Sequence, residues 1–382
     1  MRPGRLGDPV NEAGDGYVEA GSASDAFKPL GNETRVAVLR AMFDREDGRL
    51  RPATRTFSEL YEATGESTTA GFAYHLRQLV GPYLRKRTDE DESYELTYAG
   101  LQVGRGLAAG TYTESVDRDP VGLEEDCPLC GEAALALRAT DNVATVGCEA
   151  CDRELLALPF PPGGFRSHDA DSLPAAFDRH HRHRIALMAD GNCPECGGAV
   201  EGRVELVEEG TDVEDPGAGG AGGTDGRREG TGTENPEGEG VDGSTRAVAS
   251  LDCAACGYAL GCPVTLTTLS HPAVVSFFHD HGVDLRERSI WNVGPEWGER
   301  VVSTDPLAVR VSATLDGETL ALYLGRDLTV VHTDRADGDD ADDAAGSRPG
   351  LEAADGERDV EAEPGRTTAN SDSDHESGSV TA

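Results

Sequence analysis

Apolar positions recur at helical spacing in one part of this chain, alternate in others, and are almost missing from three long stretches. After a Gly-rich polar opening, "GNETRVAVLRAMF" puts Val36, Leu39 and Phe43 on one helical face, behind Asn32 as an N-cap. "FSELYEATG" follows, with Ser58 as cap and Gly65 as stop. "STTAGFAYHLRQLVGPYL" predicts a third helix that begins at Ser67 or Thr68 and buries Phe72, Leu76 and Leu79. "YLRKRTDEDESYELT" then reads as two short strands, 83–88 and 94–97, around the acidic turn 89–92. Thr97 can cap a last helix, "YAGLQVGRGLAAG".

Three helices, a hairpin and a helix over 23–112 predict a winged helix-turn-helix domain. In that arrangement the outward, N-terminal residues of the third helix enter the major groove of DNA. With Phe72, Leu76 and Leu79 inward, the outward set is Thr69, Ala70, Ala73, Tyr74, Arg77 and Gln78. Arg77 and Gln78 carry the hydrogen-bonding forks that read guanine and adenine edges, while Thr68, Thr69 and Tyr74 reach phosphates. Arg85, Lys86 and Arg87 form the densest basic run, on the first wing strand. The plainer reading is a fold used for protein contacts, with these residues as solvated surface.

Beyond residue 117 the chain repeats one plan. Cys127 and Cys130 lead into apolar run 133–139, turn 140–142 and run 143–147, which ends at Cys148 and Cys151. Cys193 and Cys196 lead into 199–207, and 247–251 leads into Cys253 and Cys256. Each C-x-x-C turn delivers two thiolates, and two turns joined by a hairpin close a tetrahedron around zinc. Spacers of 17 and 56 residues separate the turns; the longer one holds a Gly/Glu-rich insertion, 208–246, at the hairpin tip. These spacings predict two structural Zn2+ sites, the first the more strongly. A reducing compartment disfavours disulfides, and a redox-active pair needs a βαβ setting that is missing here.

The repeat extends further, since "PAAFDRHHRH" follows the first cysteine set and "PAVVSFFHDH" the second. Pro174, His181 and His183 then stand opposite Pro272, His279 and His281, which suggests a tandem duplication. His180, His181 and His183 read as a polar helix end rather than as ligands, and Cys262 reads as a small buried apolar residue. The run 299–333 alternates apolar residues around turns at Asp316-Gly317 and Gly325, predicting a small antiparallel sheet.

Charge sharpens the picture. The 382 residues hold 71 acidic and 34 basic side chains, a formal net charge of -37, and their only lysines are Lys28 and Lys86. Such repulsion is tolerable where molar salt shortens screening to ~3 Å, which points to a halophilic source. Yet residues 25–110 balance at 12 basic against 13 acidic, so almost all the excess lies elsewhere. With no apolar run near the ~20 residues of a membrane span and no apolar leader, a cytoplasmic protein without membrane contact is expected. No arrangement of nucleophile, base and orienting acid can be read from the sequence, so no enzymatic activity is expected.

"LGNETRVAVLRAM", "FSELYEATG" and "GFAYHLRQLVGPYLRKRTDEDESYELTYAG" resemble the ArsR-like winged-helix regulators, particularly the forms common in haloarchaea. The resemblance covers roughly residues 24–110. It implies a dimeric, DNA-binding transcription regulator whose first and last winged-domain helices form the dimer contact. Residues 24–110 contain no cysteine, so metal sensing in that domain is not implied, and the turn "DEDE" is acidic where a phosphate-touching wing is neutral or basic.

The expected architecture is multi-domain α+β. A disordered segment (1–22) precedes the winged helix-turn-helix (23–112). Zinc ribbon 1 (120–162), a linker helix (163–190) and zinc ribbon 2 (191–265, with its disordered insertion) follow. A helix with a small antiparallel sheet (266–333) and a disordered acidic tail (334–382) complete the chain. The expected function is regulation of transcription on double-stranded DNA as a homodimer, with the ribbons as effector or partner module. One alternative is a basal factor that contacts the transcription machinery, as the archaeal general factor E alpha does; another is a zinc-ribbon adaptor that never touches DNA.

Overall fold

The computed structural model describes residues 22–47, 49–88, 92–208 and 245–337. Nearly all of the three segments expected to be disordered, and residues 89–91 of the acidic turn, lie outside the described residues. The architecture is mixed α+β, with five small antiparallel sheets among the described residues. No helix among the described residues is long and apolar enough to cross a membrane.

The N-terminal region begins with α1 (Ala23–Phe27) and a 3-10 turn, then α2 (Glu33–Ala41). Asn32 caps α2 by accepting from the Arg35 N–H at 3.2 Å. The helix does not reach Phe43. Instead β1 (Phe43–Glu46) and β2 (Arg49–Pro52) form a hairpin that the sequence pattern concealed. Phe43 turns towards the last helix of this region, where a Cβ on Gly104 would lie 2.3 Å from its ring, and that contact outweighs continued helical spacing.

Next come β3 (Arg55–Thr56), α3 (Phe57–Thr64), α4 (Thr69–Leu79), β4 (Leu84–Arg87), β5 (Ser93–Leu96) and α5 (Tyr98–Ala109). Thr56 caps α3, in place of Ser58, through a reciprocal box with Glu59. That arrangement satisfies two otherwise orphaned helix-end donors. Left-handed Gly65 ends α3. Thr68 caps α4 and Thr97 caps α5. The three strands lie in the order β3-β5-β4. Val38, Leu39, Leu60, Phe72, Leu76 and Leu79 meet in a core of their own with Tyr83, Leu84 and Tyr94.

A second sheet contains β6 (Arg118–Gly122), β7 (Leu135–Thr140), β8 (Val143–Cys148) and β9 (Arg153–Pro159), paired in sequence order. The single helix expected over 163–190 is two, α6 (Pro162–Ser167) and α7 (Leu173–Ala189). His168 is extended, and the Asp169 carboxylate accepts from the Ser172 N–H at 3.0 Å, which turns the chain between them. The pattern then repeats with β10 (Val200–Glu208), β11 (Thr245–Cys253), β12 (Ala259–Cys262), α8 (Val264–Thr268) and α9 (Pro272–Asp280). Both halves therefore run hairpin, third strand, short helix and proline-led helix.

The last sheet, β13 (Trp297–Thr304), β14 (Leu307–Leu315), β15 (Glu318–Gly325) and β16 (Val330–Asp337), also pairs in sequence order. Its first turn, at Asp305-Pro306, was not among the two expected. Two boundaries shift outwards from the expected disordered segments. Residues 334–337 continue β16 because they pair with 318–321, and 208, 245 and 246 belong to the β10–β11 ladder. Both thiol-bearing modules, α7, α9 and the β13–β16 sheet share one buried cluster, including Phe165, Phe177, Phe277, Val309 and Leu322.

Candidate functional site

The four C-x-x-C turns assemble in pairs, as their spacing requires. Within each set, Cys127, Cys130, Cys148 and Cys151 or Cys193, Cys196, Cys253 and Cys256, all four sulfurs lie within 4.8 Å of one another. Cross-pairs measure 3.9 Å (Cys127–Cys151), 3.7 Å (Cys130–Cys148), 3.5 Å (Cys193–Cys256) and 3.6 Å (Cys196–Cys253). All are free thiols. Either set can hold a metal ion. The ladder β10–β11 explains why the 56-residue spacer does no harm: it pairs Val200 with Cys253 and delivers the two turns side by side.

Local backbone chemistry builds each turn. The residue after every second cysteine is left-handed: Gly131, Gly197 and Gly257 at φ of +75°, +73° and +74°, and Asp152 at +54°. Glycine adopts this conformation without a Cβ clash, and Asp tolerates it better than most residues. The same bond recurs three times, with Gly131, Gly197 and Gly257 donating to the carbonyls of Cys127, Cys193 and Cys253 at 2.9 Å. Backbone donors also reach sulfur: Leu129 N–H to Cys127 Sγ at 3.4 Å and Glu195 N–H to Cys193 Sγ at 3.4 Å. The Cys148 thiol is lowered to about 7 by the Cys151 backbone N–H first, with Ala150 assisting, and the Cys253 thiol to about 7 by the corresponding donors of Cys256 and Ala255. In each set, backbone donors thus ease the ionisation of one thiol.

Helix α7 lies between the two sets and holds a polar side chain towards each. On one side Asp178, buried, accepts from Arg182 at 3.1 Å and from the Ile290 N–H at 2.7 Å. The loop containing Ile290 continues to Asn292, which donates to the Asp126 carbonyl at 3.2 Å, one residue before Cys127. On the other side Arg184 pairs with Glu195, inside a C-x-x-C turn. It also donates to Tyr258 Oη at 3.1 Å, two residues beyond Cys256. The sequence reading missed these clamps; the spacing of Asp178 and Arg182, four apart on a helix, was the available signal.

His181 is not at a polar helix end. It is buried in the middle of α7, with its ring 4.8 Å from both Phe177 and His180. Burial, with the His180 and Arg184 charges added, pushes its pKa down to about 3. The Pro159 carbonyl is its polar neighbour, yet neither ring nitrogen makes a full hydrogen bond among the described residues. His281 stands in the same relation to Phe277, centroids 4.5 Å apart. By packing, then, His181 corresponds to His281 and not to His279, two residues from the register the sequence suggested. Cys262 is buried, and burial raises its thiol to about 12.

In the N-terminal region the outward side of α4 is open. Thr69, Tyr74, Arg77 and Gln78 are exposed, Tyr74 by 51%. Arg77 Nε donates to the Ala73 carbonyl at 3.2 Å, and its terminal nitrogens make no hydrogen bond among the described residues. Thr68 is engaged as the cap, accepting from the Gly71 N–H at 3.1 Å, so its oxygen already has a structural task. The basic strand is also engaged. Glu95 takes Arg85 and Arg87, each at 3.1 Å, and Glu92 takes Lys86 at 2.6 Å.

Comparison with protein families gives a match over residues 124–330 to "Domain of unknown function (DUF7351)". The chain belongs to the DUF7351 family. That region takes in both four-thiol sets, α7 and most of the last sheet, which is the span of the shared core. Ahead of the DUF7351 region, residues 23–107 match a second family, "Domain of unknown function (DUF7347)". No curated protein matches the chain, and no solved structure matches it.

Proposed function

We propose that this protein is a DNA-binding transcription regulator in which α4 reads duplex DNA while zinc ions, held by the two four-thiol sets, brace the region behind it. The observation that carries the reading is the open face of α4, with Arg77 and Gln78 exposed, in a segment balanced at -1 within a chain of -37. Helices α2, α3 and α4 with strands β3, β4 and β5 fit a winged helix-turn-helix, whose recognition helix would be α4. Contact is assigned first to Thr69, Tyr74, Arg77 and Gln78. Arg85, Lys86 and Arg87 would need to exchange Glu92 and Glu95 for phosphates, so they contribute less than a free basic strand.

The sulfur geometry supports zinc. A tetrahedron with Zn–S bonds of ~2.3 Å has edges of about 3.8 Å, close to the observed 3.5 to 3.9 Å. Four thiolates fill such a site and leave no position for a catalytic water, so the ions would act structurally, within zinc ribbons. Exposed Phe27 on α1, Tyr98 on α5 and Tyr112 just beyond it support a homodimer through these elements.

Selection from random duplexes by the metal-loaded full chain in molar potassium chloride tests the reading. The selected pool is expected to converge on one motif, and the Arg77→Ala variant to select it with ~1 to 3 kcal/mol less discrimination at one base. A pool that never converges, with polymerase co-purifying, would favour a basal factor. No DNA and no polymerase would favour an adaptor.

A further inference from the structure

Away from α4 and the thiols, α7, α8 and α9 enclose a cleft of about 630 Å3. This is the size range of small-molecule sites, and its lining follows their pattern of an apolar body with few polar groups. Ile185, Leu266, Leu269, Phe278, Leu285 and Ile290 line it, each no more than 9% exposed. Ala186 and half-exposed Val275 stand at its walls.

The polar rim is unlike the rest of the chain. Two arginines and two histidines line the cleft against a single acid, Asp284, although the whole chain holds 71 acids against 34 lysines and arginines and 10 histidines. Asp284 is already committed to Arg286, at 2.6 Å, and Arg182 to Asp178 at 3.1 Å and the Arg288 carbonyl. That leaves the His183, His279 and Ser270 side chains, which have no hydrogen-bond partner among the described residues and can all donate. A cleft with an apolar floor and donors at its rim complements an apolar body ending in an acceptor.

We propose that this cleft binds a small amphiphilic monocarboxylate, its chain against Leu269, Phe278 and Leu285 and its carboxylate at His183, His279 and Ser270. The site is separate from the DNA-reading face, and the proposal holds or fails without reference to it.

The built-in reporter is Trp297, stacked on Phe278 with centroids 5.1 Å apart. Titrating the metal-loaded full chain with decanoate in molar potassium chloride should change tryptophan emission saturably, at one ligand per chain. Decanol should bind at least tenfold more weakly, and decyltrimethylammonium should give no saturable change. Ala186→Phe, which fills the cleft from α7, should weaken decanoate binding at least tenfold. Val275→Glu, at an exposed position on the wall, should do the same by repelling the carboxylate and serves should the first variant not fold. Replacing His183 and His279 together by Ala should weaken decanoate severalfold and leave decanol unchanged. Non-saturable decanoate binding, tighter binding of the cationic amphiphile, or parental affinity in a folded cleft variant would each overturn the proposal.

Discussion

At the scale of single residues, conformation and burial decide more than side-chain type. His181 shows this best, because "RHHRH" reads as polar until packing puts the middle ring against Phe177. Its folded pKa of about 3 lies below the ~6.5 of an unfolded histidine, so the unfolded state binds the extra proton. Stability should therefore be complete above pH 6.5 and fall as pH drops towards 3, by up to about 1.4 kcal/mol per unit from this group. Denaturant titrations between pH 6.5 and 5, above the carboxylate range, should give a flatter dependence for His181→Leu than for the parent. Equal slopes would remove His181 as the cause. The left-handed turn residues make a second test. Gly257→Val places a β-branched side chain at φ +74°, a strain of roughly 1–2 kcal/mol. Competition with a chromogenic chelator should show the Cys193 set losing about tenfold in metal affinity while the Cys127 set keeps its own.

Among elements, the caps and thiol turns were legible and the tertiary choices were not. Asn32, Gly65, Thr68 and Thr97 mark helix ends because their chemistry acts within four residues. C-x-x-C spacing was equally plain, and it brought together all eight cysteines assigned to metal. Phe43 sits at a helical position by spacing, but its ring goes to α5, a contact 61 residues away that no local pattern encodes. Strands β6 and β9 escaped for a related reason: "RDPVG" and "RELLALP" lack clean alternation and are ordered by the strands they flank. The face of α4 was predicted from Phe72, Leu76 and Leu79, and all three are buried. The engagement of Arg85 and Arg87 by Glu95 was readable only once strand register placed Arg85 opposite Glu95. Between elements, the Asp178–Arg182 pair ties α7 to the loop at Ile290. Asp178→Ala would leave Arg182 buried without its partner, and equilibrium unfolding should show a loss of about 3–5 kcal/mol. A loss under 1 kcal/mol would mean that the loop is held by packing alone.

Over the whole molecule, the two cores, one within residues 22–110 and a larger one beyond them, are expected to unfold in separate transitions although they belong to one compact unit. The sequence pattern divides 120–333 into successive modules, because hydrophobic periodicity tells which face of an element is buried and not which other element it meets. In the folded chain these stretches share one core, which takes in Cys127 and Cys148 of the first thiol set. Metal analysis should find about two ions per chain. Chelation should lower the unfolding temperature of the larger core and leave the transition of residues 22–110 in place, since no cysteine lies there. One transition that ignores the chelator would contradict the metal assignment. Calorimetry in molar potassium chloride is the suitable readout, because a charge of -37 is screened there within ~3 Å.

Occupancy in the cell bears most directly on the reading of α4. A genome-wide map of the tagged chain should show discrete sites that share one sequence motif, and the Arg77→Ala chain, expressed at the same level, should lose most of them. Occupancy that follows polymerase across promoters without a motif, or a map unchanged by the substitution, would contradict it.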